Sequence, residues 1–304
     1  CMGLYNGAEF IEEQLQSIWN QTKQPDEVIL CDDGSTDRTA EIVSRFIRTH
    51  NIEDRWKFHC NSINKGYPAN FYYACSLCTG DLVFLADQDD VWNSRKIEIM
   101  SRIFAEHREA AVVSCKFGLI DEKGTTIHTI MAPTHSHSSG NIRTVSISDV
   151  FRKGEWPGMV MAYRRAWYNE WSGESYKIPH DILIAAKAAE ERRFIQLDME
   201  LAYHRRHGNN AGGEEHRIGR LLKKERKIKE ICEYISLLNQ FEKAEVLQSE
   251  EGKQALQEKK HSMQGRLAAL QSKKWWKIIE NAIRYRKNTR VATFICDLMI
   301  VKGK

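Results

Sequence analysis

Two short apolar runs that each end in clustered carboxylates constrain this chain more than any other feature. Glu27-Val28-Ile29-Leu30-Cys31 stops at Asp32-Asp33-Gly34-Ser35-Thr36-Asp37, and Asp81-Leu82-Val83-Phe84-Leu85-Ala86 stops at Asp87-Gln88-Asp89-Asp90. Runs this short, without polar alternation, suit strands buried on both faces, which in practice means a parallel sheet covered by helices. Helical spacing falls between and around them, over 9–21, 38–49, 68–78 and 94–107, with Thr36 or Asp37 placed to cap the second helix. Further strands are expected at 56–59 and 110–116. The β-α-β-α order implies an α/β, doubly wound and mostly parallel sheet. Both acidic clusters then sit at the carboxyl ends of strands, the crevice where open α/β sheets bind ligands.

Clustered carboxylates repel one another unless a cation or hydrogen-bond donors compensate them. Oxygen donors with little His or Cys nearby favour Mg²⁺ or Mn²⁺ over zinc, usually shared with a substrate phosphate. With 42% hydrophobic residues over 304 positions, disorder is excluded. Charge is unevenly placed: residues 214–304 carry a net +9, which leaves −5 for the remainder. This asymmetry points to cation chemistry in the first part and an anionic surface for the second. The eight cysteines show no framework spacing and read as free thiols, Cys75-x-x-Cys78 included. Val291 to Val301, the longest apolar candidate, is shorter than the ~20 residues a membrane span needs and contains Asp297.

The organisation expected is a domain over 1–213 followed by a basic helical tail over 214–304. Cys1-Met2-Gly3 leads straight into the loop-like Tyr5-Asn6-Gly7, so the amino-terminal strand of the sheet is expected to be missing and the start truncated. Residues 117–180 are less regular, and 133–141 reads as a loop. Helix 181–192, strand 194–203 and the polar loop 204–213 follow. In the tail, Ile218, Leu221, Leu222, Ile228, Ile231, Ile235 and Leu238 recur at helical spacing. That stripe suits packing against a neighbouring helix or a second copy of the chain. Lys273-Lys274-Trp275-Trp276-Lys277 and Arg284-Tyr285-Arg286-Lys287 mix aromatics with cations as interfacial membrane segments do. Nucleic acid is not expected as a partner, because the first part is acidic and no binding motif is present.

An ordered motif set goes further. Tyr5-Asn6-Gly7, Cys31 through Asp37, Asn64-x-Gly66 and Asp87-Gln88-Asp89-Asp90-Val91-Trp92 come first. Pro157-Gly158, His180-Asp181 and Tyr203-x-Arg205-x-His207-Gly208-x-Asn210 follow. In this order, over about residues 4–213, the chain resembles the family 2 glycosyltransferases of the GT-A fold, and within them the bacterial rhamnosyltransferase-like group. The resemblance implies a nucleoside diphosphate sugar as donor, a dTDP- or UDP-sugar with dTDP-L-rhamnose among them. It places Tyr5 and Asn6 in the first nucleotide loop, Asp32 or Asp33 at the base and ribose, and Asn64 and Lys65 along the nucleotide pocket. Asp87 and Asp89 form the DxD motif, with Asp87 toward ribose or sugar and Asp89 on the divalent ion. The ion would stabilise the departing nucleoside diphosphate. Asp90 either joins them or caps the next helix.

By the same resemblance Asp181 is the catalytic base of an inverting transfer, which needs one carboxylate to take the acceptor hydroxyl's proton. Arg205 and His207 fall in a segment that closes over the diphosphate, His207 on the metal or a phosphate. Trp156, Pro157, Gly158 and His180 fall on the acceptor side, where Trp156 either stacks on sugar or packs in the core. The implied acceptor is a hydroxyl of a growing, lipid-linked glycan in bacterial surface polysaccharide assembly. The implied setting is cytoplasmic, at the inner face of the membrane. Two other readings use the same residues: a sugar-phosphate nucleotidyltransferase, and an inactive nucleotide-sugar-binding scaffold. A nucleotidyltransferase normally carries a Gly-rich basic phosphate loop, which Met2–Gly7 lacks.

Overall fold

The computed structural model describes residues 1–127, 140–153, 156–172, 177–207, 223–272 and 274–302. Contacts divide the chain into two units, Cys1–Val145 with Trp156–Arg206, and Ser146–Glu155 with His207–Lys304. The expected boundary at 213/214 lies outside the described residues, as do Gly208, Asn210, most of the 133–141 loop, and Lys273.

In the first unit, β1 (Met2–Leu4), α1 (Ile11–Trp19), β2 (Val28–Asp32), α2 (Thr39–His50) and β3 (Trp56–Cys60) alternate as the sequence implies. β1, β2 and β3 pair in parallel, Leu4 opposite Asp32 and Asp32 opposite Cys60. The expectation of a missing first strand is therefore corrected. Met2-Gly3-Leu4 is a strand, fully buried at Met2 and Leu4, too short to announce itself by periodicity. All five residues of β2 are buried, which explains its unbroken apolar run. α2 turns its apolar face inward and ends at Asn51, whose φ of 52° gives the left-handed cap that asparagine tolerates. At its start the Asp37 carboxylate accepts the Thr39 N–H at 2.9 Å.

α3 (Ala69–Ser76) leads to β4 (Leu82–Phe84), β5 (Val91–Trp92), α4 (Lys96–Glu106) and β6 (Val112–Ile120). Past β7 (Ile142–Thr144) and α5 (Ile147–Lys153), the chain forms β8 (Met161–Arg164), α6 (Arg165–Asn169), α7 (His180–Glu190) and β9 (Phe194–Arg205). The parallel order holds for the first three strands and for β6 with β9. The second sheet, ordered β4-β8-β6-β9-β5, is otherwise mixed, because β8 runs antiparallel to both its neighbours. A parallel bridge from Met2 to Ala86, with the Ala86 N–H donating to Cys1 O at 3.0 Å, joins β1 to the end of β4. The carboxyl ends of β1 and β2 and the chain leaving β4 thus share one edge.

The second unit is helical: α5, α8 (Lys224–Lys243), α9 (Glu250–Ser272), α10 (Trp275–Arg284) and α11 (Val291–Lys302). Phe151 meets Phe241 edge-on at 5.6 Å, with Ile231, Leu238 and Leu256 also buried. Gly265 lets α10 approach α9, since a Cβ there would lie 2.0 Å from Asn281 Oδ1. A buried Arg266–Asp297 pair ties α9 to α11. No helix of the described residues is long and apolar enough to cross a membrane.

Candidate active site

The loop after β2 is built by its own carboxylates. Asp32, almost fully buried, accepts the N–H groups of Gly34 at 3.2 Å and Ser35 at 3.0 Å, folding the turn back on the strand end. Asp33 points the other way. Its carboxylate accepts the backbone N–H of Lys65 and Gly66, both at 2.7 Å, and the Asn61 amide at 2.8 Å. Asn64 donates to Asp33 O at 2.8 Å. Asp33 therefore pins the 61–66 loop against the strand edge, which brings Asn64 and Lys65 to the crevice. The Lys65 ammonium lies 4.9 Å above the Tyr73 ring.

Asn6 crosses to the same turn from β1. Its φ of 48° lets its N–H reach Ser35 Oγ at 2.9 Å while its amide oxygen accepts Thr36 N–H at 2.8 Å. Tyr5 leaves its ring half exposed, and its backbone is gripped by Gln88, whose amide both donates to and accepts from it at 2.9 Å. Gly7 permits this grip: a Cβ there would stand 2.4 Å from Gln88 Oε1. The loops carrying Tyr5, Asp33 and Asp87 are thus hydrogen-bonded into one rim.

Asp87, Asp89, Asp90 and Asp181 are close enough to interact electrostatically. Burial pushes the Asp87 carboxyl well above the ordinary range, and Asp90, Asp89 and Asp181 push it further. Asp90 is fully buried; one oxygen accepts the Arg205 N–H and meets His204 Nδ1, both at 3.0 Å, while Oδ2 has no hydrogen-bond partner among the described residues. Burial raises Asp90 as well. Lys96, a residue no motif singles out, brings a cation near Asp87. It is fully buried, donates to Met159 O, and lies 3.6 Å from the Trp92 ring centre. Burial brings the Lys96 ammonium down to about 8, against the pull of Asp90 and Asp87.

Asp181 stands in the first turn of α7, where its Oδ1 accepts the Ile182 N–H at 2.8 Å. Burial raises it to about 6. Tyr67, also missed from sequence, lies within the field of both Asp181 and Asp87 and is itself raised by desolvation and by those charges. His180 is buried and stacked on Phe71 at 3.9 Å, with Tyr67 edge-on at 5.7 Å. Among the described residues neither ring nitrogen has a hydrogen-bond partner, and burial lowers it to about 3, so it is a neutral ring. Gly158 is packed against it, a Cβ being 2.9 Å from His180 Nε2. Pro157, extended and half-buried, precedes that contact.

One expectation is corrected, for Arg205, and one open alternative is decided, for Trp156. Arg205 does not face an open diphosphate pocket: its guanidinium is fully buried and donates to Asp89 O at 3.0 Å, Asp121 O at 3.2 Å, Glu122 O at 3.1 Å and the Glu13 carboxylate. It braces the acidic turn from behind. Trp156 offers no exposed face to a sugar; it is buried against Phe194 at 5.6 Å, with Arg143 6.0 Å away on the ring. His207 is grouped with the second unit.

Among the described residues no three His, Cys, Asp or Glu side chains form a ready-made metal cage. The donor chemistry still fits a hard divalent cation. The Asp87–Asp89 pair supplies oxygen only, and burial and the neighbouring carboxylates disfavour the Asp87 charge, which a bound cation would compensate.

The profile of Glycosyl transferase family 2 matches residues 1–170. The Putative glycosyltransferase EpsE of Bacillus subtilis is 34% identical over 123 residues, 40% of this chain and 44% of that protein. The alignment thus spans less than half of the relative's length. Among solved structures, S. aureus TarS 1–349 in complex with UDP-GlcNAc superposes with a TM-score of 0.57 at 17% identity, over 99% of this chain and 89% of that one. Mannosyltransferase PcManGT from Pyrobaculum calidifontis, in complex with GDP-Man and Mn²⁺, gives 0.56 at 19% identity over 93% and 72%. These likenesses show the α/β GT-A fold, and the match over residues 1–170 shows that the chain belongs to Glycosyl transferase family 2.

Proposed function

We propose that the chain is an inverting, divalent-metal-dependent glycosyltransferase. It would move a sugar from a nucleoside diphosphate donor to a glycan hydroxyl. One observation supports the reading: a buried carboxylate, Asp181, lies close enough to Asp87 of the Asp87-x-Asp89 motif for its charge to raise that carboxyl. One side of that crevice suits a cation-bridged diphosphate, the other a base.

In the transfer, the acceptor oxygen attacks the anomeric carbon from the face opposite the diphosphate. The C1–O bond to phosphate breaks with its electron pair leaving on the nucleoside diphosphate, and the hydroxyl proton passes to an Asp181 oxygen. A carboxyl raised to about 6 holds that proton better than an ordinary Asp yet is ionised at neutral pH. When bound, Mg²⁺ or Mn²⁺ supplies positive charge beside the diphosphate, held by Asp89 with Asp87 toward ribose or sugar. The Tyr5 ring and the Asn6, Asp33, Asn64 and Lys65 loops line the nucleotide, and Asp32 holds the turn that presents them. His180, with Pro157 and Gly158, shapes the acceptor side as an uncharged aromatic wall. His207 remains a proposed contact to the metal or phosphate.

The donor is a dTDP- or UDP-sugar, with L-rhamnose among those to test on the strength of the motif resemblance. The acceptor is a growing, lipid-linked surface glycan. The exposed Trp275, Trp276, Ile295 and Met299 with Lys274 and Lys277 support docking on an anionic membrane at its inner face, or pairing with a second copy.

Turnover on a panel of nucleotide sugars with and without Mn²⁺ tests the reading. Release of nucleoside diphosphate with sugar transfer is expected. Release of pyrophosphate would mark a nucleotidyltransferase, and tight binding without turnover a scaffold.

A further inference from the structure

A cavity of about 310 Å³ lies within the second unit, bounded by α5, α8, α9 and the 288–293 segment. Five cationic side chains line it, Arg152, Lys227, Lys259, Arg266 and Arg290, against the single carboxylate of Glu230. Most of these charges have named partners. Arg152 meets Asp149 at 2.5 Å, Arg266 pairs with Asp297, and Glu230 is shared between Arg226 at 3.1 Å and Lys227 at 2.6 Å.

Lys259 differs. It is only 5% exposed, projects from α9 into the cavity wall, and has no hydrogen bond or ion pair among the described residues. Its nearest compensation is the Tyr234 ring, 5.5 Å from the ammonium. Burial, with the like charges of Arg266 and Arg290, brings it down to about 8. A buried ammonium among other cations is costly unless something anionic completes it. Guanidinium forks beside an ammonium suit the several oxygens of a phosphate better than a lone carboxylate.

We propose that this cavity is an anion site for a phosphate or diphosphate group, centred on Lys259. It is separate from the strand-end carboxylates, since every residue lining it belongs to the helical unit. A phosphate on a lipid headgroup and one free in solution present the same chemistry of capture.

The test titrates inorganic pyrophosphate into the whole chain in EDTA, which silences cation-dependent donor binding, by calorimetry and ³¹P NMR. Saturable binding is expected, weakened at least about tenfold by Lys259→Met and by Arg290→Gln, as for loss of a charge-assisted contact. Arg290 is exposed and keeps the test open should Lys259→Met fold poorly. Nucleotide binding with Mn²⁺ should be unchanged in both. A second arm uses phosphatidylcholine vesicles containing phosphatidic acid. Vesicle binding that pyrophosphate displaces, and that both variants lose, assigns a headgroup; vesicle binding indifferent to both variants, with pyrophosphate binding weakened, assigns a soluble phosphate. Equal pyrophosphate affinity in wild type and both variants, or none below about 10 mM, overturns the site.

Discussion

Asp181 and Lys96 show how burial sets charge at single residues in this site. Burial holds Asp181 at about 6, so its ionised form is less favoured in the folded protein than in the unfolded chain. A base must be ionised to act, so turnover is expected to rise with pH along a limb centred near 6. Asp181→Asn should lower kcat by roughly 10²–10⁴ while leaving donor affinity intact, the scale of a lost general base. Steady-state kinetics across pH 5–8 with calorimetry of the donor checks both. The stability consequence has the opposite sign. A carboxyl raised in the folded state contributes stability that is complete below its ordinary value near 4 and is lost as pH rises through 6. Asp181→Asn should therefore be more stable than wild type at pH 8 in urea unfolding, with the difference vanishing near pH 4. Lys96 works the other way: it is the buried cation beside Asp87 and Asp90, and Lys96→Met leaves those charges uncompensated. A loss of about 1–3 kcal/mol is expected, as when a buried charge-assisted hydrogen bond, here to Met159 O, is removed, read by the same unfolding experiment at neutral pH.

Among elements, close approach does what no single side chain can. Gly158 brings the chain before β8 against His180 at the start of α7, and the His180 ring in turn stacks on Phe71 of α3. Gly158→Ala would drive a methyl into a buried ring with nowhere to move, costing about 1–3 kcal/mol by overpacking. Because His180 adjoins Asp181, kcat should fall more than donor affinity does; equal losses in both would mean general loosening instead. The same elements mark how far the sequence could be read. β2, α2, α4 and β9 were legible because each has one strong pattern, an unbroken apolar run or a 3.6-residue stripe. The three residues of β1 and the pair Val91–Trp92 carry no period, so tertiary pairing alone makes them strands. Asp32, Asp33, Asp87, Asp89 and Asp181 were legible as a motif set, and in the fold Asp87 lies within the field of Asp89 and Asp181. Arg205 and Trp156 belong to the same motifs, yet burial depends on what packs over a side chain, here Phe10 and the 121–122 backbone for one and Phe194 for the other. Lys96 reads from sequence as a solvent-facing position at a helix start, and only the fold turns it inward.

At the scale of the whole molecule the chain separates two kinds of charge. The first part is net acidic and gathers its carboxylates where a cation-bridged diphosphate would lie, while residues 214–304 carry +9. That surplus sits with exposed apolar surface on α10 and α11, where Trp275, Trp276, Ile283, Val291, Ile295 and Met299 all reach solvent. Lys274 lies 5.6 Å from the Trp276 ring and Lys302 the same distance from Trp275, so cation and aromatic are presented together. An anionic bilayer answers both at once: rings enter the headgroup layer and ammonium groups meet lipid phosphates. A second copy of the chain would cover the apolar face but bring like charges together. Lys274→Ala with Lys277→Ala should therefore weaken binding to anionic vesicles by roughly thirtyfold, at about 1 kcal/mol per lysine, and Trp275→Ser with Trp276→Ser should weaken binding to anionic and neutral vesicles alike. Co-sedimentation at two salt concentrations separates the contributions, since only the lysine part should shrink as salt rises. Vesicle binding unmoved by either pair, together with concentration-dependent dimerisation lost in the tryptophan pair, would assign this face to the second copy instead.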